Sequence, residues 1–303
     1  MIPGLASRFA AWRVLHDVRH GVPFDVALAR AMRELEGDDR RLAHEIAAGV
    51  FRHRSQLDQS LGSAIDRGLD SVRADTLDIL RLGAFQLLHL DKIPPHAAVQ
   101  TSVGVAQRLG GAKVAGFVNA VLRRLGRTPT ERGSDAGQPV AGDLATRHSH
   151  PPWLVDRWLS RFGEGATEQL LQWNNQKPPL VVQAGRMTQP EVAALFADSG
   201  VGFRPAAFDA GLVVEASRPV ALPGFREGAF VVQDPAQQLV ARFLSPAPAS
   251  LIYDACAAPG GKSIALARGA RLLVAGDHRR TRIARLAETI ARAGPANIRV
   301  VGA

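Results

Sequence analysis

Cysteine is almost absent from this sequence: among 303 residues only Cys256 is one. That excludes an internal disulfide and a cysteine-rich zinc site. Long apolar runs are missing as well. No stretch of about 18 uncharged apolar residues occurs, so no membrane span is expected. A secretory leader is not expected either, because Arg8 and Arg13 interrupt the apolar start MIPGLASRFAAWRVLHDV, and the cytoplasm is the expected location. Lysine is scarce. Lys92, Lys113, Lys177 and Lys262 are the only four, and arginine supplies the rest of the 37 cations.

Against 28 acidic residues those cations leave a net charge of +9. Guanidinium groups fork onto phosphates and stack on bases, so the balance suits a nucleic-acid partner. The base composition of a GC-rich genome would also replace lysine by arginine without any functional demand. With 46% apolar residues the chain can bury real cores, and its length fits two or more compact units.

Residues 1–127 read as a succession of helices. Ala11, Val14, Leu15 and Val18 follow the spacing of one buried helix face, as do Leu28, Ala31, Met32 and Leu35. Leu42, Ile46 and Val50 continue it, then Val72 to Leu87, and two further helices are expected near 97–109 and 114–125 after the break at Pro94-Pro95. Residues 128–145 are rich in Gly, Pro, Ser and Asp and read as a linker. A small α+β unit is expected over 146–233, with helices near 152–162, 167–173 and 191–199 and strands at 180–182, 212–214 and 230–232. From Asp234 the reading is α/β: a helix, a buried strand Leu251–Asp254, a glycine loop, and a βαβαβ run whose third strand is Ile298–Val301. The fold class is therefore multidomain: an all-α domain, a small α+β domain, then the first part of a Rossmann-like α/β domain (234–303).

The most informative stretch is Asp254-Ala255-Cys256-Ala257-Ala258-Pro259-Gly260-Gly261-Lys262-Ser263, placed between a strand and a helix. Three ligands compete for such a loop. A phosphate-binding P-loop needs its first glycine at position 256, where Cys256 stands, and Pro259 removes one backbone N–H from the cradle. The dinucleotide spacing G-x-G-x-x-G does not occur. A nucleoside cofactor without phosphates, such as S-adenosyl-L-methionine, needs close backbone approach and an acid at the end of the next strand for its ribose. Asp277 stands there, although many strand-end acids merely cap the following helix.

At this point the residues meet a family. DACAAPGGKS resembles the cofactor loop of the Sun/Nop RNA cytosine-5 methyltransferases, and Phe230-Val231-Val232-Gln233-Asp234-Pro235-Ala236-Gln237-Gln238-Leu239 is similar to the segment that precedes it. Ile93-Pro94-Pro95-His96-Ala97-Ala98-Val99 and Phe117-Val118-Asn119-Ala120-Val121-Leu122-Arg123 resemble the NusB-like RNA-binding domain. A NusB-like domain fused to this core is the arrangement of the ribosomal RNA small subunit methyltransferase B type. The resemblance implies that Cys256, Ala257, Ala258, Pro259, Gly260, Gly261 and Lys262 line the pocket for S-adenosyl-L-methionine and that Asp277 holds its ribose. It implies methylation of carbon 5 of a cytosine in small-subunit (16S) ribosomal RNA. Carbon 5 is a poor nucleophile, and the family activates it by adding a cysteine thiolate to carbon 6. Those cysteines lie in Pro-Cys motifs after the family's fourth and fifth strands, which this chain does not reach. The expectation is a C-terminally truncated member that does not methylate RNA by itself, with Cys256 a buried small residue rather than the nucleophile. The alternative is a non-catalytic NusB-like RNA-binding protein.

Arginine clusters offer phosphate contacts: Arg123, Arg124 and Arg127 at the end of the helical domain, and Arg40, Arg41, Arg52 and Arg54 flanking an earlier helix. A solvated helix face accounts for any single one of them equally well. Arg279, Arg280, Arg282 and Arg285 read as solvated. His148 and His150 form an H-x-H without a third ligand, so no metal is expected. Trp12, Trp153, Trp158 and Trp173 fit apolar faces and are expected in cores. Ribosomal RNA is the expected partner, and the protein is expected to be a monomer.

Overall fold

A computed structural model describes residues 3–127, 143–216 and 218–302. The chain divides into two compact units, 1–176 and 177–303, so the division falls within the 146–233 span of the sequence reading.

The first unit is helical. Its elements are α1 (Leu5–Arg19), α2 (Phe24–Ala31), α3 (Gly37–Arg52), α4 (Arg54–Ala64), α5 (Ala74–His89), α6 (Pro95–Arg127), α7 (Leu144–Arg147), α8 (Pro152–Phe162) and α9 (Glu164–Asn175). Helix α5 runs through the centre, with Ile79, Leu80, Leu82, Ala84 and Phe85 all buried. Buried charge accompanies it. Arg81 donates to both oxygens of Asp58, at 2.7 and 2.8 Å, and to Asp78 at 3.1 Å, so each buried guanidinium and carboxylate has a partner. The two helices expected at 97–109 and 114–125 are halves of α6, broken at Gly111, whose φ of +70° a side chain would disfavour.

Helix α4 was not anticipated, although Leu57, Leu61 and Ala64 give it a buried stripe. The expected linker lies outside the described residues as far as 142. Its last residues open α7, where Asp143 caps the helix by accepting from the Thr146 N–H at 2.8 Å, and Leu144 and Ala145 are buried. Two tryptophans correct the sequence reading. Trp12 is buried and Trp158 packs beside a small core of Leu144, Ala145, Val155 and Leu171, but Trp153 and Trp173 are 65% and 66% exposed. The buried side of α8 is set by Val155, Trp158 and Leu159, which turns Trp153 outward. Thr167 and Leu171 do the same to Trp173 on α9.

The second unit holds two sheets. Strands β1 (Leu180–Ala184), β2 (Phe203–Pro205), β3 (Leu212–Val214) and β4 (Phe230–Val232) form an antiparallel sheet in the order β2-β3-β1-β4, with α10 (Gln189–Asp198) packed on β1. Phe196 of α10 meets Phe230 edge-on at 5.4 Å in its core. Helix α11 (Pro235–Leu244) leads to β5 (Leu251–Asp254), α12 (Gly261–Ala267), β6 (Leu272–Asp277), α13 (Arg280–Ala293) and β7 (Ile298–Gly302). These strands run parallel in the order β5-β6-β7. Strand β5 was expected to be buried. Among the described residues it is instead an edge, and Leu251 and Tyr253, which share one face of the strand, are 63% and 59% exposed because nothing described covers that face. No described helix is long and apolar enough to cross a membrane.

Candidate functional site

The loop after β5 is closed by its own first residue. Asp254 accepts from the Cys256 N–H at 3.3 Å with one oxygen and from the Ser263 hydroxyl at 2.8 Å with the other, so both ends of the loop are tied to one carboxylate. The Ala257 N–H donates to the Gly276 carbonyl at 2.9 Å and fixes the loop to β6. Gly260 adopts φ +110°, and a side chain there would approach Leu286. A Cβ on Gly261 would stand 2.9 Å from the Gln233 amide, so glycine lets α12 begin against the end of β4.

Asp277 ends β6 and is 2% exposed. Burial raises its pKa, but the N–H of Arg279, the charges of Arg282 and His278, and the N–H of Ala258 together carry it below the usual carboxylate range. The Ala258 contact joins Asp277 to the loop. Arg279 N–H reaches Oδ1 at 3.3 Å, whereas Oδ2 is buried with no hydrogen-bond partner. An ionised, partly unsatisfied acceptor of this kind takes hydroxyl donors.

The remaining loop residues face a second feature. Ala257, Pro259, Gly261 and Lys262 line a cavity of about 510 Å3 together with Phe225, Val231, Gln233 and Gln237. The Lys262 ammonium donates to the Gln237 side chain at 2.9 Å. Gln233 is 8% exposed and its Oε1 lacks a partner. Asp277 is not part of this lining. The residues expected around one cofactor are thus grouped in two: Ala258 with Asp277, and Lys262 with its neighbours on the cavity wall. Gln233 and Gln237 were not anticipated as site residues, although the segment containing them had carried part of the resemblance.

Cys256 is a correction. It is exposed, not buried, because its backbone is tied inward to Asp254 and its side chain is left on the outer bend. Its accessible thiol stands at the start of the glycine loop.

The arginines separate likewise. Arg40 and Arg41 lie at the beginning of α3 and Arg52 at its end, about 18 Å apart at 1.5 Å per residue. Arg41 pairs with Asp38, and Arg54 opens α4, exposed. Arg124 forms an ion pair with Asp66 at 2.6 Å. Arg123 and Arg127 line a shared groove with residues of the first half of α6. Arg279 caps α13 and Arg280, Arg282 and Arg285 lie on it, all four exposed.

Comparison with known proteins places this geometry. Residues 6–127 match the NusB family, 150–221 the Methyltr_RsmF/B-like ferredoxin-like domain, and 241–303 the family described as 16S rRNA methyltransferase RsmB/F. A probable ribosomal RNA small subunit methyltransferase B from Synechocystis sp. is 33% identical over 98% of this chain and 69% of its own length. The ribosomal RNA small subunit methyltransferase B of Pseudomonas putida is 33% identical over 94% of this chain and 66% of its own length. The chain thus spans about two thirds of the length of these relatives. The crystal structure of PH0851 shares the fold, with a TM-score of 0.72 and 18% identity over 99% of this chain and 69% of that one.

Proposed function

Because this chain belongs to the ribosomal RNA small subunit methyltransferase B family, we propose that it serves methyl transfer from S-adenosyl-L-methionine to carbon 5 of a cytosine in small-subunit (16S) ribosomal RNA. The observation that carries the reading is Asp277: a buried, ionised carboxylate whose Oδ2 lies 3.8 Å from the Arg282 guanidinium but accepts no hydrogen bond, held beside the glycine loop through Ala258. Bound there, the donor would supply an electrophilic methyl group. Asp277 accepts the ribose hydroxyls, and Cys256, Ala257, Ala258, Pro259, Gly260, Gly261 and Lys262 form the wall around the donor. The glycines allow close approach, and the Asp254 clamp keeps the loop in one shape. The attacking thiolate comes from a cysteine that these 303 residues do not include, since Cys256 belongs to the donor wall.

In the same reading residues 1–127 grip RNA, 146–233 contact RNA and connect, and 234–303 carry the donor site. The protein works in the cytoplasm as a monomer.

Calorimetry with S-adenosylhomocysteine tests the site. A hydrogen bond to a charged group is worth about 1.5–3 kcal/mol, so Asp277→Asn should bind at least about tenfold more weakly than the parent. Since the carboxylate of Asp277 titrates below the usual range, parental affinity should hold as pH falls to about 4 and decline only below that. Equal affinity in parent and variant removes Asp277 from the site.

A further inference from the structure

Helix α6 carries Arg108, Lys113, Arg123, Arg124 and Arg127 and not one acidic residue. Its break at Gly111 folds the second half back on the first, so that residues from opposite ends of the helix, His96 and Arg127, line one groove. Leu87 of α5 completes the groove, whose volume is about 650 Å3. That lies within the range of about 300–1,000 Å3 found for small-molecule sites. Leu122 is buried at its floor, with Leu87, Val99 and Val103 half-buried beside it. The rim is polar: His96, Gln100, Asn119, Arg123 and Arg127. Arg123 donates to the Asn119 Oδ1 at 3.0 Å, which orients the amide and leaves its NH2 group as a donor. Among the described residues no carboxylate lines the groove.

The geometry points to a pocket for a single unstacked nucleotide of an RNA strand. An aliphatic floor offers nothing to a bare phosphate but fits the face of a base. The Gln100 and Asn119 amides can read a base edge, and two arginines on the rim match the adjoining phosphates. The absence of any acid along α6 is the charge complementarity that selects a polyanion. This inference rests on the proposed action on RNA and adds where in the helical unit the strand is held.

Gly126 provides a test that does not alter charge. It lies in helical backbone on the groove wall, and a Cβ added there meets nothing within 4 Å. Gly126→Leu therefore grows into the groove without disturbing the core. Binding of the 303-residue chain to transcribed small-subunit ribosomal RNA should weaken about tenfold, with no loss of melting temperature. Arg123→Ala with Arg127→Ala should weaken binding and flatten the dependence of log affinity on log salt by about 1.4, at about 0.7 per single-strand phosphate contact. Parental affinity in Gly126→Leu overturns the groove while leaving RNA as the substrate. An acidic peptide that occupies the groove without displacing RNA overturns it in favour of a protein partner. Failure of the parent to bind RNA at all defeats the functional reading itself, and the groove with it.

Discussion

Cys256 begins the glycine loop and Asp277 ends the following strand, and the two show opposite relations between sequence and environment. A lone cysteine in an apolar-looking loop suggests burial, since free cysteine is among the most buried residue types. Its exposure is decided by the backbone bond from Cys256 to Asp254, a turn that residue identity does not announce. An accessible thiol should react with a thiol reagent such as Ellman's reagent in the native chain, with a stoichiometry of one. If the loop walls the donor, S-adenosylhomocysteine should slow that reaction. A thiol silent until denaturant is added would contradict the exposed position. Asp277 was legible from its place one strand beyond the glycines. Gln233 and Gln237 were not, because only the packing of β4 and α11 against Gly261 and Lys262 brings them to the loop. Buried charge in the helical unit was equally invisible. Burial lowers the pKa of Arg81, but Asp58 and Asp78 overcome it and raise the value, so the cation is firmly held. Asp78→Ala leaves a guanidinium only 8% exposed without one of its partners. Because Arg81 keeps both oxygens of Asp58, urea unfolding should show a loss of about 1–3 kcal/mol, and no change would mean Asp58 alone suffices.

At the scale of elements, helix crossings in the first unit depend on glycine where propensity would prefer alanine. A Cβ on Gly49 of α3 would lie 1.9 Å from Cζ of Phe85 in α5, and one on Gly83 of α5 would lie 2.4 Å from Leu122 of α6. Alanine in a helix interior gains about 1 kcal/mol over glycine, whereas overpacking costs about 1–3 kcal/mol. Packing should win: Gly49→Ala is expected to lower stability in urea unfolding, and a more stable variant would show that Phe85 can move aside at no cost. The long amphipathic helices were legible because their apolar stripes recur over several turns. Helix α4 escaped because only Leu57, Leu61 and Ala64 mark it, among serine and glycine, and it gains its stability by packing on α5. Strand β2 is three residues long and ends in proline, too short for any alternation to register. For β5 the apolar run Leu-Ile-Tyr correctly gave a strand, but a run of that kind reports what a strand can bury and not whether neighbours flank it on both sides.

Across the whole molecule, the two compact units hold the two proposed sites apart in sequence. The loop, Asp254 and Asp277 all fall after residue 177, and the acid-free helix α6 and its groove fall before 176. A ligand that binds only the native state stabilises it by RT ln(1 + [L]/Kd), about 2.7 kcal/mol at a hundredfold excess over Kd. Amides that exchange by local opening slow where the ligand makes its contacts. Hydrogen exchange with saturating S-adenosylhomocysteine should therefore slow amides within 254–264 and 277–279. The helices of 5–127 should exchange as they do in the free protein. Ribosomal RNA should do the reverse at first order, protecting the ends of α6 around 96–103 and 119–127. Donor-dependent protection concentrated in α6 would break the assignment of one chemistry to each unit. Protection by the donor that vanishes in Asp277→Asn but leaves the RNA pattern intact would establish that the two sites are built from separate cores.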